Sequence, residues 1–229
     1  MAFVALFAFL PSYAMLPLKP SKSPEVRRFI DPTAFKDVPF ILFVLAGFFG
    51  AVGYYIHLIY LPIYAETAAN FTNTSLAFYL LAIINGTSTV GRIVAGTIAV
   101  SVGPVTTIAL GIGCCGILLF SWTAVHTVAG LIVWLVIWGL VSSIIVSLPG
   151  AIIPILSPSM GALGTRNGMY WAGSAVGVLI GSPIAGTLVV SSSSGVVWWR
   201  LQVFAGLSMV VGTVLVIYPA IYAARRRRS

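Results

Sequence analysis

The residue best suited to chemistry is an arginine inside an apolar stretch. The stretch begins near Ser75, and Arg92 lies about seventeen residues after that point. On a helix, Asn85, Ser88 and Gly96 share its face, because side chains three, four and seven positions apart lie above one another. A guanidinium in such a polar stripe suits a carboxylate of a substrate or of a neighbouring helix. The alternative is an arginine that extends to the membrane interface and keeps its charge in water.

Two further stretches carry weaker polar faces that could line a path for a substrate. Trp138 and Ser142 are four residues apart in one stretch, and Tyr170 and Ser174 are four residues apart in another. In membranes, serine side chains also serve as hydrogen-bonding groups between helices, and aromatic rings serve as packing or interface residues. Both interpretations stay open for these four residues.

Glycine spacing predicts where two helices approach each other closely. Gly173, Gly177 and Gly181 recur every four residues. This is the small-residue pattern that lets one helix backbone lie close to another in a membrane. The pattern fits a static packing surface and a moving interface equally well.

The remaining reactive side chains do not form a catalytic or metal-binding set. Four carboxylates occur, all outside the apolar stretches, and no nucleophile-elbow, zinc-protease or P-loop pattern is present. Cys114 and Cys115 are adjacent, which is typical of packed thiols. His57 lies late in the first apolar stretch, where it could relay protons or be an ordinary interfacial histidine. The sequence predicts a protein that is not an enzyme and needs no metal or cofactor.

The composition explains why so few polar residues are available. Of 229 residues, 59% are hydrophobic and 7% are charged, whereas about a quarter of the residues in a soluble domain are charged. This balance excludes a soluble enzyme, a disordered tail and a disulfide scaffold, and it indicates a polytopic membrane protein. The net charge of +8 comes mostly from clusters near both ends. Nucleic-acid binding is not predicted, because it needs a basic face on a folded domain.

Six stretches are long and apolar enough to cross a bilayer, which requires about 20 residues. They cover residues 38–64, 75–99, 104–125, 128–150, 166–190 and 201–221. Helices are predicted instead of a barrel, because these stretches are apolar on every face and do not alternate. The expected fold is an all-α membrane protein. It has a six-helix domain over residues 38–222, a basic linker over 17–37 and a basic tail over 223–229.

The distribution of Lys and Arg predicts the orientation. Six spans put both ends of the domain on one side of the membrane, and ten Lys and Arg residues fall on that side while only Arg200 falls on the other. Positive residues accumulate on the cytoplasmic side, so both termini are expected there, in a multi-pass protein of the plasma membrane. Residues 1–16 lack the charged start of a signal peptide. They are interpreted as the stub of an upstream helix, with a signal peptide as the alternative.

An ordered set of short motifs resembles one group of transporters. The motifs are Asp31–Phe40, Leu76–Leu81, Asn85, Gly91–Arg92 with Gly96, Gly103–Pro104, Ser147–Pro149, Leu156–Pro158, Gly164–Met169 and Ile180–Gly186. Together they resemble helices seven to twelve, the C-terminal half, of a major facilitator superfamily transporter of the fungal monocarboxylate-transporter-like type. Such a transporter has two six-helix halves with the substrate between them, and the resemblance covers one half.

The resemblance implies proton-linked or facilitated movement of a small carboxylate or related metabolite. Arg92 matches the eighth-helix arginine that binds substrate in the animal monocarboxylate carriers, although their aspartate one turn earlier is replaced here by Ser88. Gly103 and Pro104 match the loop between the eighth and ninth helices, where the usual charged latch is missing. Arg166 matches a position at the start of the eleventh helix and implies a cytoplasmic gate or anchor.

The sequence therefore favours a carboxylate transporter in the lipid bilayer that is incomplete without an N-terminal half or a second chain. Its first, second, fourth and fifth spans are expected to line the substrate path. The alternative is a non-transporting membrane protein, either a remnant or an interaction subunit that packs on another membrane chain.

Overall fold

The computed structural model describes residues 30–67, 74–192 and 195–228. Its helices are α1 (Val38–Thr67), α2 (Thr74–Val102), α3 (Pro104–Ser121), α4 (Val128–Ser147), α5 (Pro149–Leu156), α6 (Leu163–Leu188) and α7 (Trp199–Arg228). Short 3-10 helices cover Pro32–Lys36, Trp122–Ala124 and Met160–Ala162, and two short strands, β1 (Val190–Ser192) and β2 (Gly195–Val197), form an antiparallel hairpin. The predicted stub over residues 1–16 and the linker residues 17–29 lie outside the described residues.

Six helical stretches of the described chain are long and apolar enough to span a membrane. They coincide with the six predicted stretches, and the fourth of them combines α4 with α5. The all-α fold with six transmembrane helices is therefore confirmed. At the C-terminus α7 continues to Arg228, through most of the predicted tail. Alanine and arginine are strong helix formers, which explains the continuation.

Local sequence explains where several helices begin. Gly103 has a φ of 103° and provides the turn between α2 and α3, a conformation that glycine adopts without steric cost. Pro104 and Pro149 follow at the first positions of α3 and α5, where the missing amide hydrogen of proline is tolerated. Thr127 caps α4, because its hydroxyl accepts a hydrogen bond from the Gly130 amide at 3.2 Å.

The helices pack around α1, which contacts α6 on one side and α7 on another. The second pairing is α2 against α4, and α3 lies between α4 and α7. About a fifth of the residues in the spanning windows of α2 and α6 are buried (22% each), against 56% in that of α1. These two helices therefore present faces that no described helix covers.

Successive spans run in opposite directions, so the helix ends form two groups, one at each end of the bundle. Helix α1 begins and α7 ends at one end, which we call the terminal end. The β1–β2 hairpin, which joins α6 to α7, lies at the other end, which we call the hairpin end.

Candidate functional site

The groove between α1, α4 and α6 is the candidate substrate site. It has a volume of about 410 Å³. Its lining residues are Gly47, Ala51, Tyr54, Tyr55, Ile145, Val146, Tyr170, Trp171, Ser174, Ala175, Val178 and Leu179. None of these residues is charged. The groove therefore offers aromatic and aliphatic surface with a few hydroxyl groups and one indole.

Tyr170 is a buried residue in the lining of the groove. Its side chain is 3% exposed and stacks on Phe43 of α1, with ring centroids 4.8 Å apart. A Cβ atom on Gly47 would lie 2.6 Å from the Tyr170 ring, so only glycine leaves room for this ring. Ser174, one turn further along α6, also lines the groove. The structure thus places both predicted α6 residues in the groove.

Arg92 lies on α2 and is exposed. No described carboxylate forms an ion pair with Arg92. The ion pairs among the described residues are those of Arg166 with Asp31 and Asp37. The guanidinium of Arg92 lies within electrostatic range of Tyr54, which lines the groove. The charge of Arg92 therefore acts on one residue of the groove, although Arg92 itself does not line the groove.

The other polar residues of the predicted α2 stripe form hydrogen bonds within their own helix. The Asn85 side-chain amide donates to the Leu81 carbonyl at 2.9 Å, and the Ser88 hydroxyl donates to the Asn85 carbonyl at 3.0 Å. Ser88 is buried, whereas Asn85 is exposed. Neither residue lines the groove.

Trp138 and Ser142 lie behind the groove and do not line it. Trp138 is fully buried and stacks on Tyr54 with a centroid separation of 6.3 Å. Ser142 is also fully buried, and its hydroxyl has no hydrogen-bond partner among the described residues. Trp138 therefore supports a groove residue from behind.

The three glycines of α6 lie against the backbone and valines of α1. A Cβ atom on Gly177 would lie 2.5 Å from the Phe48 carbonyl oxygen. Cβ atoms on Gly173 and Gly181 would lie 2.7 Å and 2.9 Å from methyl groups of Val44 and Val52. The contacts advance by four residues on both helices, so α1 and α6 approach closely along two turns.

Arg166 forms a buried ionic cluster at the terminal end, which we call the Arg166 clamp. Its Nε donates to Asp31 at 3.1 Å, and its Nη1 donates to Asp37 at 2.5 Å and to the Leu156 carbonyl at 2.6 Å. The side chain is 2% exposed, and its guanidinium lies 4.8 Å from the centre of the Phe40 ring. The clamp ties the segment before α1 to the end of α5 and the start of α6.

The hydrogen bonds around Asp31 favour its ionised form. A hydrogen bond from the Thr33 hydroxyl, together with one from Arg166 and one from the Thr33 amide, lowers the pKa of Asp31 below its ordinary value of 3.8, against the opposing effect of burial. Hydrogen bonds to an ionised carboxylate stabilise the charged form. Asp31 therefore keeps its negative charge opposite Arg166 at neutral pH.

Gly103 and Pro104, predicted as gating residues, line a second cavity at the terminal end. This cavity has a volume of about 630 Å³, and the end of α5 and the last turns of α7 complete its wall. Arg226 of α7 lies in this wall and donates to the Ile155 carbonyl at 3.3 Å. No described residue of this wall carries a carboxylate, so a charged latch of the usual kind is not formed there.

His57 is not at an interface. Its side chain is fully buried, and the rings of Trp122, Trp134 and Trp138 surround it at centroid distances of 5.0, 4.8 and 4.8 Å. We call these three side chains the indole cage. The sequence gives no sign of this burial, because the tryptophans come from segments more than sixty residues away along the chain.

The sequence analysis expected the first span to line the path, but it named none of the α1 residues that do so. Gly47 and Ala51 are one turn apart and leave space, while Tyr54 and Tyr55 supply the rings. A pair of small residues four positions apart followed by two tyrosines was the available signal. Among the described residues no group of histidine, cysteine and acidic side chains could hold a metal ion.

Comparison with known proteins connects this architecture to fungal transporters. No family model matches the sequence. The chain is 34% identical to the MFS-type transporter dbaD of Emericella nidulans over 94% of its own length and 48% of the relative. It is 34% identical to the aspyridones efflux protein apdF of the same organism, over 89% of the chain and 41% of the relative. It is 32% identical to the MFS-type transporter pynF of Aspergillus niger, over 98% and 51%.

The chain thus spans about half the length of the curated relatives it matches. Six spanning helices and this homology identify the fold as one half of a major facilitator superfamily fold. The relatives are transporters or efflux proteins, not enzymes, in agreement with the sequence-based expectation. A multi-pass integral membrane protein follows from the same findings.

Proposed function

We propose that the chain is one six-helix half of a transporter for organic acids, with the apolar body of the substrate in the groove and its carboxylate at Arg92. The observation that carries this proposal is Arg92 itself. It lies ten residues before the end of α2 at Val102, which corresponds to about 15 Å along a helix axis. A charged side chain at that depth is costly against lipid, and such residues normally face a water-filled path or another protein segment.

The groove supports a substrate with an apolar body. Ligand sites are concave, mostly apolar and about 300–1,000 Å³ in volume, with a few polar groups that orient the ligand. The groove falls in this range and presents the rings of Tyr54, Tyr170 and Trp171. The name of the aspyridones efflux relative supports export of an organic metabolite. The carboxylate assignment rests on the match of Arg92 to the monocarboxylate carriers.

A second six-helix unit, either an N-terminal half or a second chain, would complete the site. The exposed faces of α2 and α6 support this proposal, because α2 carries Asn85 and Arg92 on its exposed side, and such a polar face is poorly suited to lipid. The alternative is an interaction subunit that uses the same faces to pack on another chain without transport.

We further propose that both termini lie in the cytoplasm and that the protein resides in the plasma membrane. The excess of Lys and Arg at the terminal end supports this orientation. A protease-cleavable tag at the C-terminus should resist protease added to intact cells and should be cleaved after the cells are permeabilised. Cleavage in intact cells would reverse the proposed orientation.

Binding to the 229-residue chain in lipid nanodiscs tests the role of Arg92. The probes are 2-naphthoate and its neutral analogue 2-naphthamide. A hydrogen bond to a charged group contributes about 1.5–3 kcal/mol, so naphthoate should bind about tenfold or more tightly than naphthamide. Arg92→Gln should abolish this preference, and Arg200→Gln, a change at an exposed arginine of the hairpin end, should leave it intact. Equal binding of the two probes to the unmodified chain would contradict the proposal.

Transport is measured in proteoliposomes. The chain is reconstituted alone and together with the N-terminal half of one of the fungal relatives. We expect movement of naphthoate in the combined preparation and its loss in Arg92→Gln. If naphthoate binds but moves in neither preparation, the interaction subunit becomes the better interpretation.

A further inference from the structure

The aromatic residues of the groove form two pairs, one on α1 and one on α6. On α1, the ring centroids of Tyr54 and Tyr55 lie 5.2 Å apart, with an interplanar angle of 77°. On α6, the ring centroids of Tyr170 and Trp171 lie 5.4 Å apart, with an angle of 83°. All four residues line the groove. We call these pairs the α1 corner and the α6 corner, because the two rings of each pair stand nearly at right angles.

One ring of each corner, which we call the inner ring, packs against a further aromatic residue. In the α1 corner the inner ring is Tyr54, which stacks on Trp138 with an interplanar angle of 26°. In the α6 corner it is Tyr170, which stacks on Phe43 with an angle of 18°. Stacking is a preferred geometry of aromatic pairs, so the packing behind each corner gives its inner ring a defined orientation.

The other two rings, Tyr55 and Trp171, keep much of their surface open, and we call them the outer rings. Their exposed fractions are 41% and 43%. Trp171 lies eight residues after the start of α6 at Leu163, about 12 Å along the helix axis. Tyr55 lies twelve residues before the end of α1 at Thr67, about 18 Å along the axis. Aromatic belts occupy the ends of membrane spans, so a belt does not account for two rings this far inside their helices.

The two corners lie at successive heights of the groove. The Tyr170 ring lies beside Gly47, since a Cβ atom on that glycine would be 2.6 Å from the ring. Tyr54 follows Gly47 by seven residues, which is about two turns of α1. Ala51 lies between them on α1 and also lines the groove, and its methyl side chain leaves room for a ligand. One ring system that extends along the groove can therefore contact both corners.

A right-angled pair of rings favours a flat, unsaturated ligand. Aromatic rings have a negative face and a positive edge, so they prefer offset-stacked or edge-to-face contacts with one another. A flat ring that stacks on one member of a corner meets the other member edge to face, and it makes both preferred contacts at once. A saturated ring carries hydrogen atoms above and below its mean plane and has no π system, so it makes neither contact.

We infer that the groove selects substrates with a flat, unsaturated ring system, and that the outer rings Tyr55 and Trp171 determine this selectivity. The inference rests on the proposed function in one respect, because it takes the same groove as the substrate site. It does not depend on Arg92, since ring contacts form with or without a carboxylate on the ligand. The substrate class is an organic acid with an aromatic or conjugated body, in preference to an aliphatic acid of the same size.

The first experiment compares two matched pairs of probes on the 229-residue chain in lipid nanodiscs. One pair is 2-naphthoate and its saturated counterpart decahydro-2-naphthoate, and the amides of these two acids form the other pair. The saturated body has the larger apolar surface, so burial alone would favour it. An aromatic contact strengthens binding by roughly two- to tenfold beyond the effect of buried area. We therefore expect the naphthalene probe of each pair to bind about threefold or more tightly, which we call the ring preference.

The two pairs separate this inference from the role of Arg92. A ring preference without a preference for acids over amides would support the inference, while the proposed carboxylate contact fails. Tighter binding of the acids with no ring preference in either pair would overturn the inference and leave that contact intact. If none of the four probes binds, the groove is not the substrate site and both proposals fail. Empty nanodiscs correct each measurement for partition of the probe into lipid.

The second experiment assigns the ring preference to the outer rings. Tyr55→Leu and Trp171→Leu should each reduce it by about half, and the double variant should remove it. The matched controls are Tyr218→Leu and Trp199→Leu, at exposed residues outside the groove lining, and both should keep it. The two probes of a pair are measured on one preparation, so a loss of folded protein leaves their ratio unchanged. A double variant that keeps the full ring preference would overturn the assignment.

Discussion

Arg92 in α2 and Arg166 in α6 have opposite surroundings. Arg166 is buried and bonded to two carboxylates and a backbone carbonyl. Arg92 is exposed and has no ion pair among the described residues. The comparison indicates that the buried arginine, Arg166, has a structural role. The exposed charge has no such ion pair in the described structure, and it is the one that the proposed function uses.

The largest effect is expected from removal of the clamp. Arg166→Met would remove the donor that Asp37 and the Leu156 carbonyl share, and it would remove one of the donors to Asp31. Breaking a buried ion pair from one side costs about 3–5 kcal/mol. We expect about 3 kcal/mol, because the two aspartates keep 15% and 28% of their side-chain surface exposed. Thermal unfolding of the 229-residue chain in detergent measures the loss.

The control for this change is Arg200→Met. Arg200 is exposed and lies 5.6 Å from the centre of the neighbouring Trp199 ring, an interaction of about 0.5–1 kcal/mol at exposed sites. If the two substitutions lower the unfolding temperature equally, the clamp does not stabilise the fold and the contrast with Arg92 disappears.

A smaller loss of stability is expected from a substitution at the contact between α6 and α1. This contact also holds Arg166 near its carboxylates. Gly177→Ala would force a methyl group to within 2.5 Å of the Phe48 carbonyl oxygen, which requires the helices to separate. Overpacking of this kind costs about 1–3 kcal/mol. Gly168→Ala in the same helix meets nothing within 4 Å and should be neutral or slightly stabilising. Equal unfolding temperatures for the two variants would argue against close packing at Gly177.

A third effect concerns pH. The pKa of Asp31 is lower in the folded protein than its ordinary value of 3.8, so its stabilising contribution is complete above about pH 4 and is lost as the pH falls through the folded pKa. Unfolding temperatures measured between pH 3 and 7 should fall at the acidic end. Asp31→Asn should flatten that part of the curve and lower its neutral plateau. An unchanged profile in Asp31→Asn would remove Asp31 from the clamp.

The smallest effect on stability is expected at Arg92. Arg92→Gln should change the free energy of unfolding by no more than about 0.5 kcal/mol, as is usual for exposed positions, while removing the naphthoate preference. Unfolding and binding measured on one preparation separate the two effects. A loss of stability as large as that of Arg166→Met would place both arginines in the same structural class.

Much of this fold can be predicted from the sequence, because the bilayer imposes strong local constraints. Residue 38 begins both the first predicted span and α1, and Gly103–Pro104 marks both a predicted turn and the start of α3. The polar stripe around Arg92 also follows from helical periodicity. These features depend on neighbours along the chain and on the cost of unpaired backbone groups in lipid.

Other features could not be predicted. Tyr170 enters the groove because Gly47, more than a hundred residues earlier, leaves it room. The burial of His57 is likewise invisible, because a histidine near the end of a span has the same sequence neighbours whether it faces solvent or an indole cage. Such contacts join segments that are distant in the chain and depend on how the helices are rotated against each other.

The sequence by itself determined the membrane class, the six spans and the isolated position of Arg92, because the hydrophobic effect and helical geometry act over a few turns. Only the tertiary structure decided which charges are paired and which rings enclose His57. Arg166 meets Asp31 and Asp37 across 135 and 129 positions of chain. Packing brings those groups together, since close-packed interiors select one rotation and depth for each helix.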